Sequence, residues 1–160
     1  MSLGIRMDSE RVASILSEFG DYPRFPDGRI DYHDAPKAAV VNVVVESEGK
    51  LLLLKRSQHV HTYKGKWMTV AGYLDEPVSA EAKAREELRE EIGVTSVDTL
   101  TTYDPLEFMD EDLGATFIIF PVYVTLQNRP MIELDQEHTQ MRWVSPEAVA
   151  SYDLVPSLPR

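Results

Sequence analysis

The spacing of apolar residues predicts two helices ahead of the last third of the chain. Over residues 8–18 apolar positions recur every three or four residues, as on the inner side of a helix. A second helix is predicted from Ser79 to Ile92, where Ser79 is a suitable N-cap and Gly93 a suitable residue just past the end. Each helix has one apolar side, so we expect both to pack against other elements.

Runs rich in Val, Ile, Leu and aromatic residues predict the β-strands. The predicted strands cover residues 37–46, 51–55, 67–74, 95–103, 115–126 and 140–144. A Ser-Glu-Gly-Lys turn between the first two predicts a hairpin, and Pro121 predicts an edge position or a bulge in the fifth. A short helix opening at Pro146 is expected after the last strand. Strands framed by helices predict an α/β fold with a sheet packed between helices.

Composition narrows the possible functions. With 160 residues, of which 43% are hydrophobic and 27% charged, the chain has the composition of one globular domain. The formal net charge of −11 argues against a surface for nucleic-acid polymers or anionic membranes. The sequence contains no cysteine, which excludes disulfides, thiolate catalysis and cysteine–zinc sites. Its apolar runs are too short to span a bilayer and its beginning lacks a signal-peptide layout, so we expect a cytoplasmic protein.

Three glutamates of the second predicted helix form the most informative cluster. Glu87, Glu90 and Glu91 stand at i, i+3 and i+4, so they share one side of the helix. Helical geometry places Glu91 within the apolar stripe and Glu87 at its edge, whereas Glu86 points the other way. An inward carboxylate is costly unless a cation compensates it, and clustered carboxylates suit Mg²⁺ or Mn²⁺. The alternative is that Lys83 and Arg85 neutralise part of this charge on an ordinary solvated helix.

The segment from Gly72 to Val94 resembles the signature of the Nudix hydrolase family. From Glu87 onward it reads Glu-Leu-Arg-Glu-Glu-Ile-Gly-Val, and its spacing from Gly72 matches the signature without insertion or deletion. The resemblance implies the Nudix fold, a mixed β-sheet sandwiched between α-helices. It also implies two parts, an N-terminal helix and loop extension over residues 1–36 and a Nudix hydrolase domain over residues 37–160.

Two positions depart from the family's signature. Val78 stands where the family has glutamate, and Glu86 stands where it has arginine. One hypothesis is that these positions are two ends of a single supporting contact, dropped together while the metal-binding glutamates remain. The competing hypothesis is that catalysis is weak or lost, which would leave a Nudix-fold binding or regulatory domain.

The resemblance implies a metal-dependent hydrolase that cleaves the pyrophosphate linkage of a nucleoside diphosphate joined to another group X. The implied ligands of Mg²⁺ or Mn²⁺ are Glu87 and Glu91, with the carbonyl of Gly72 and with Glu90, directly or through water. These three glutamates and Glu137 are the predicted catalytic residues. The expected partner is the small nucleoside diphosphate derivative, with neither a nucleic-acid polymer nor a membrane, and the family resemblance makes a homodimer possible.

Residues outside the motif complete the predicted site, and several alternatives stay open. The candidates for a general base are Glu107, Asp110, Glu111, Asp112 and Glu137. Of these, Glu137 lies just before the last predicted strand, whereas the run from Asp110 to Asp112 is expected to be a solvated turn. The predicted substrate-binding residues are Lys55, Arg56, Lys66, Trp67 and Phe117, with Tyr63 and Lys64 as further candidates. Each of these is also explained as a surface charge or as a packed aromatic ring.

Three less favoured interpretations remain. His59 and His61 lie on one side of an extended segment, but no third zinc ligand is evident. An isopentenyl-diphosphate isomerase-like enzyme would account for the unusual residues before Gly72, yet that chemistry relies on a cysteine, which this chain lacks. A plain acidic structural domain is the third. The sequence does not select one nucleoside diphosphate derivative over another.

Overall fold

The computed structural model describes residues 3–60 and 62–156, and for residues 3–8 it describes the backbone alone. The elements in chain order are α1 (Leu3–Leu16), β1 (Lys37–Ser47), β2 (Lys50–Arg56), β3 (Trp67–Met68), β4 (Val70–Tyr73), α2 (Ala80–Ile92), β5 (Thr99–Thr102), β6 (Leu106–Asp110), β7 (Ala115–Thr125) and β8 (His138–Val144). Short 3₁₀ helices span Ser17–Phe19 and Pro146–Ser151. Among the described helices, none combines the length and the apolar character needed to cross a membrane.

Strands β1 and β7 form the centre of the sheet. They run parallel, with residues 37–46 of β1 opposite residues 116–125 of β7. β4 pairs antiparallel with β1, while β5 and β6 pair antiparallel with different stretches of β7. β2 pairs with β1 beside the turn that joins them and then pairs along its length with β8. The mixed sheet with few helices confirms the predicted α/β fold.

Pro121 lies in a central strand, so the predicted edge position is wrong. On one side, Pro121 stands opposite Asn42 in the uninterrupted parallel pairing of β1 and β7. On the other side, β7 pairs with β6 as far as Ile119, and its pairing with β5 begins at Val122. Proline removes a ladder donor, and here it occurs at the point where β7 changes neighbours and the ladder on that side is already interrupted.

The N-terminal segment shares one core with the sheet and with α2. Val12, Leu16 and Phe19 are buried in the same apolar cluster as Val41 of β1 and Leu88 of α2. A smaller apolar cluster lies around strands β2, β3 and β8 and consists of Leu53, Met68, Val144, Leu154 and Val155. Burial of this kind contributes about 25 cal/mol per Å² of apolar surface. The shared core means that part of the segment before β1, from Val12 onward, is packed against the sheet and α2. The division of the chain at residue 36 stays a prediction.

Several element boundaries differ from those predicted. α1 begins five residues earlier than predicted, and the region predicted as one strand over residues 67–74 is two strands interrupted at Thr69. The strand predicted over residues 95–103 is confined to β5. β6 was not predicted, because its sequence, Leu-Glu-Phe-Met-Asp, is short and its side chains are mostly exposed. The errors within the sheet concern short or partly exposed segments, where hydrophobic periodicity is a poor guide.

Helix α2 begins and ends at the residues that its sequence predicts. The Ser79 hydroxyl accepts a hydrogen bond from the backbone N–H of Ala82 at 3.0 Å. Gly93 has φ +70°, a left-handed conformation that glycine adopts without strain, and its N–H donates back into the last turn. The inner side of the helix buries Leu88 and Glu91 against the sheet. The caps therefore fix the glutamates at a defined place beside β4.

Candidate active site

A cavity of about 870 Å³ lies between α2, the end of β4, the loop before β3 and the loop before β8. It brings together seven of the predicted site residues: Arg56, Gly72, Glu87, Glu90, Glu91, Phe117 and Glu137. These residues come from five separate parts of the chain, and the fold rather than the sequence makes them neighbours. Their functional roles stay predictions.

Glu87 and Glu91 form a hydrogen-bonded carboxyl pair inside this cavity. Glu91 is 3% exposed and Glu87 is half-buried, one helical turn earlier. Burial raises the pKa of Glu91 well above its ordinary value, and the hydrogen bond that its protonated form donates to Glu87 raises it further. Burial likewise raises the pKa of Glu87. Among the described residues, no lysine or arginine forms an ion pair with either carboxylate.

Gly72 gives the Glu87 carboxylate room against the backbone of β4. A Cβ atom placed on Gly72 would lie 2.3 Å from Glu87 Cδ and 2.5 Å from Glu87 Oε1. No side chain fits at such a distance, so any other residue at this position would push the carboxylate out of place. The need for glycine here arises from close approach, since Gly72 lies within the regular pairing of β4 with β1.

His138 and Asp135, which the sequence analysis missed, lie behind Glu91. His138 Nδ1 is 2.7 Å from Asp135 Oδ1, and His138 Nε2 is 3.7 Å from Glu91 Oε1. Both facing atoms, His138 Nε2 and Glu91 Oε1, are buried and have no hydrogen-bond partner in the part of the chain that the structure describes. The loop that carries these residues is fixed to the end of α2 by the N–H of Asp135, which donates to Glu91 O at 3.2 Å. The only signal in the sequence was the Asp-x-x-His spacing, which is common.

The opposite wall of the cavity carries Arg56 and Tyr63. Arg56 Nε donates to the carbonyl of Thr62 at 2.9 Å, and burial lowers the pKa of this guanidinium. The Tyr63 hydroxyl donates to the buried carboxylate of Asp110, and burial raises the pKa of this tyrosine. The backbone of Tyr63 has φ +54°, which residues other than glycine seldom adopt. Asp110 is thus a buried acceptor at the end of β6. The prediction that it belongs to a solvated turn is wrong.

Other predicted site residues lie away from the cavity. Lys66 forms an ion pair with Asp153 at 2.9 Å, and Trp67 packs edge-on against Tyr152 in the smaller core cluster. Neither they nor Lys55 and Lys64 line the cavity. Of the proposed general bases, only Glu137 lines it; Glu107 pairs with Lys37, and the exposed Glu111 and Asp112 lie in the turn after β6. His59 lines the cavity, whereas His61 lies outside the described residues.

Glu86 does not point into solvent, as helical periodicity predicted. Its carboxylate is 2.7 Å from Lys83 Nζ and 3.3 Å from Arg29 Nη2. Lys83, whose side chain is 2% exposed, also contacts Asp75 and Glu76, each at 3.1 Å. Burial alone would raise the pKa of Glu86, but these two cations lower it below the ordinary value. Lys83 and Arg29 therefore neutralise Glu86, whereas none of the described lysines and arginines pairs with Glu87 or Glu91.

The arrangement fits a divalent cation. The buried, unpartnered Glu91 Oε1, the second carboxylate of Glu87 and the backbone clearance at Gly72 provide hard oxygen donors with uncompensated charge. Glu90 lies exposed at the rim of the same cavity. Within residues 3–60 and 62–156, no three acidic or histidine side chains already surround a common point. Glu87 and Glu91 hydrogen-bond to each other and would have to give up this contact to bind a metal ion.

Comparison with known proteins agrees with this geometry. Nucleoside triphosphatase NudI from Escherichia coli O17:K52:H18 (strain UMN026 / ExPEC) is 27% identical over 125 residues, which is 72% of this chain and 86% of NudI. The MutT protein of Methanosarcina mazei Go1 superposes with a TM-score of 0.60 at 23% identity, covering 78% of this chain and 88% of that protein. The NUDIX domain of Shewanella oneidensis NrtR, solved with ADP ribose, superposes with a TM-score of 0.63 at 18% identity, covering 74% and 79%.

These structural likenesses establish the fold, and the family follows from the sequence match. The family model for the NUDIX domain matches residues 35–159, most of the chain. Members of this family generally hydrolyse nucleoside diphosphate derivatives and generally use divalent metals. The chain belongs to the NUDIX domain family and is a Nudix hydrolase.

Proposed function

We propose that this protein is a metal-dependent hydrolase that cleaves the pyrophosphate linkage of a nucleoside diphosphate joined to another group, with Mg²⁺ or Mn²⁺ held by Glu87, Glu91, Glu90 and the carbonyl of Gly72. The proposal also places the protein in the cytoplasm. The relative NudI is named a nucleoside triphosphatase, so nucleoside triphosphates belong among the substrates to be tested.

The observation that carries the proposal is the uncompensated carboxyl pair. Glu91 is buried with one oxygen unpartnered, and Glu87 lies against Gly72 with no lysine or arginine bound to either among the described residues. A buried carboxylate without compensation costs several kcal/mol, and binding a cation removes this cost. A protein that only needed a stable helix would gain by replacing Glu91 with an apolar residue.

The remaining residues of the cavity supply what phosphate cleavage needs. A bound divalent ion would neutralise phosphate charge and lower the pKa of a water molecule. Arg56 offers a fixed cation for a phosphate oxygen, and Glu137, exposed at the rim, offers a carboxylate to accept a proton. Tyr63 and Phe117 line the same cavity and present aromatic rings on which a base can stack.

The test is a substrate panel assayed with Mg²⁺, with Mn²⁺ and with chelator. The panel contains nucleoside triphosphates, ADP-ribose and other nucleoside diphosphate sugars, and the products are quantified by chromatography. We expect hydrolysis of at least one class with either ion and none with chelator. Running the reaction in ¹⁸O-labelled water identifies the phosphorus that water attacks. A protein that binds Mn²⁺ but hydrolyses no member of the panel would contradict the proposal.

The second candidate function is a Nudix-fold binding or regulatory domain. Its support is the presence of Val78 and Glu86 where the family has glutamate and arginine. The double variant Val78→Glu with Glu86→Arg separates the two. If the unchanged protein is inert and the double variant hydrolyses nucleotides, catalysis has been lost in this chain. We expect the opposite, an active unchanged protein that gains nothing from the double change, because Glu86 already has cationic partners.

A further inference from the structure

Residues 29–32 of the N-terminal segment, which we call the strap, run beside the loop that connects β4 to α2. The backbone N–H of Ile30 donates to Asp75 O at 2.9 Å, and the Tyr32 hydroxyl donates to Leu74 O at 2.9 Å. Between these points and α2, Arg29 spans two carboxylates: its Nε is 3.0 Å from Glu76 and its Nη2 is 3.3 Å from Glu86. One arginine thus joins the loop to the second turn of the helix.

Lys83 forms a second, buried link between the same loop and the same helix. Its Nζ contacts Asp75, Glu76 and Glu86, and its side chain is 2% exposed. Lys83 stands one helical turn before Glu87, so the loop contacts fix the turn from which Glu87 projects. Both Arg29 and Lys83 also line the cavity.

We propose that Arg29, together with Lys83, is a positioning residue of the metal site: it holds the loop from Leu74 to Ser79 and the start of α2 so that Glu87 faces Gly72. This inference rests on the proposed function, because it concerns the ion that the glutamates bind. On this proposal, the strap before β1 contributes to the geometry of the metal site. The proposal also explains how Val78 and Glu86 are tolerated, since the supporting contact has been rebuilt with other partners and not dropped.

The sign of the expected effect separates positioning from simple electrostatics. Removing a positive charge near Glu87 should strengthen cation binding if only Coulomb attraction mattered. If Arg29 positions the loop and helix, removing it should weaken cation binding instead. Arg29→Gln therefore gives opposite outcomes under the two explanations, and Arg29→Lys keeps the charge while losing the fork that spans two carboxylates.

The experiment measures Mn²⁺ affinity by electron paramagnetic resonance of free Mn²⁺, at a temperature where every variant is folded. We expect Arg29→Gln to weaken Mn²⁺ binding about tenfold, as loss of a residue that supports metal ligands typically does. Arg29→Lys should recover part of this loss. The matched control is Arg24→Gln, which removes an exposed arginine of the same segment whose side chain, among the described residues, donates only to Gly28 O at 3.5 Å.

A metal-free measurement follows the loop itself. The N–H of Val78 donates to Glu76 O at 2.8 Å, so its hydrogen exchange reports whether the loop keeps its conformation. We expect faster exchange at Val78 in Arg29→Gln than in Arg24→Gln. Such a difference between two arginine variants on one segment would not follow from a general loss of charge.

Three results would overturn the inference. One is Mn²⁺ affinity in Arg29→Gln that equals or exceeds that of the unchanged protein. Another is a higher KM for the nucleotide at unchanged Mn²⁺ affinity, which would make Arg29 a substrate contact. If the unchanged protein binds Mn²⁺ in either case, only this inference fails. The third is an unchanged protein that binds no Mn²⁺, in which case the proposed function fails as well.

Discussion

Two nearby glutamates of α2 have opposite surroundings. Glu86 contacts Lys83 and Arg29, and these cations lower its pKa. Glu91, little more than one turn later, is more deeply buried and contacts another carboxyl group, and burial raises its pKa well above the ordinary value. We call the side of α2 that carries Glu86 the braced side, because Lys83 and Arg29 compensate the charge of its carboxylate. We call the side that carries Glu87 and Glu91 the ligand side, where no described lysine or arginine does so.

This contrast indicates different roles for the two sides. A buried carboxylate is expensive, and the braced side shows that the chain has cations available to offset one. Leaving Glu87 and Glu91 without such partners lowers stability in the absence of ligand, a known cost of functional sites. The predictions below test whether the braced side provides stability and the ligand side provides chemistry.

The largest expected effect concerns stability on the braced side. Lys83→Met should lower the free energy of unfolding by about 3–5 kcal/mol, because it leaves the carboxylates of Asp75, Glu76 and Glu86 without their buried cation. Urea unfolding measures this change. The matched control is Arg85→Met, since the Arg85–Glu81 pair is on the same helix but exposed, and its loss should cost about 0–1 kcal/mol. Equal losses in both variants would mean that the buried Lys83 stabilises the protein no more than an exposed pair on the same helix does.

On the ligand side, activity and stability should move in opposite directions. Glu91→Gln should lower kcat/KM about a hundredfold or more, equivalent to about 3 kcal/mol in the barrier. The same change should raise the melting temperature of the metal-free protein at neutral pH, because it removes a buried carboxylate. It should also abolish the stabilisation that Mn²⁺ gives to the unchanged protein. Glu81→Gln is the control on this helix; if it matched Glu91→Gln in activity, the assignment would be wrong.

Helix α2 was predictable because its information is local. Ser79 and Gly93 are adjacent to the helix that they cap, and periodicity alone predicts that Glu91 faces inward. The braced side was not predictable, because Arg29 and Glu86 are 57 residues apart and Arg29 lies in a loop rich in proline, glycine and aspartate. Periodicity even indicated that Glu86 faces solvent, since helical geometry does not reveal a partner supplied by another part of the chain.

The stability of the metal-free protein should depend on pH with a sign set by the ligand side. Glu87 and Glu91 have pKa values raised in the folded state, so folding takes up protons above the ordinary carboxyl pKa of 4.5. Stability should therefore fall as pH rises from about 4.5 through the raised pKa values, by about 1.4 kcal/mol for each pH unit that separates a raised pKa from the ordinary one. Glu86 acts oppositely, since its lowered pKa removes stability only as pH falls below 4.5.

Denaturant midpoints measured from pH 4.5 to pH 8 with chelator check this expectation. Glu91→Gln should flatten the decline while keeping His138 and Asp135, so it separates the carboxyl pair from the histidine. Excess Mn²⁺ should flatten it in the unchanged protein too. A decline that is equally steep in Glu91→Gln would attribute the pH dependence to other groups.

The candidate site was predicted where a motif fixed the spacing and missed where only the fold brings residues together. Gly72 and the three glutamates follow from the signature, whereas His138 and Asp135 lie in a polar segment with no periodicity. Trp67 has the chemistry of a base-stacking residue, yet Tyr152 and the smaller core cluster occupy its surroundings. Residue type alone does not distinguish a ring that packs from a ring that binds.

The smallest effect tests whether bracing is more than helix stability. Ser79→Ala removes the N-cap bond to Ala82 N–H and should cost about 1 kcal/mol of unfolding free energy. Because the loop and α2 remain joined through Arg29 and Lys83, we expect Mn²⁺ affinity to stay unchanged, in contrast to Arg29→Gln. Ser79→Asn, which keeps a capping side chain, is the control for stability. If Ser79→Ala weakened Mn²⁺ binding as strongly as Arg29→Gln, any loosening of the helix start would suffice, and Arg29 would have no specific positioning role.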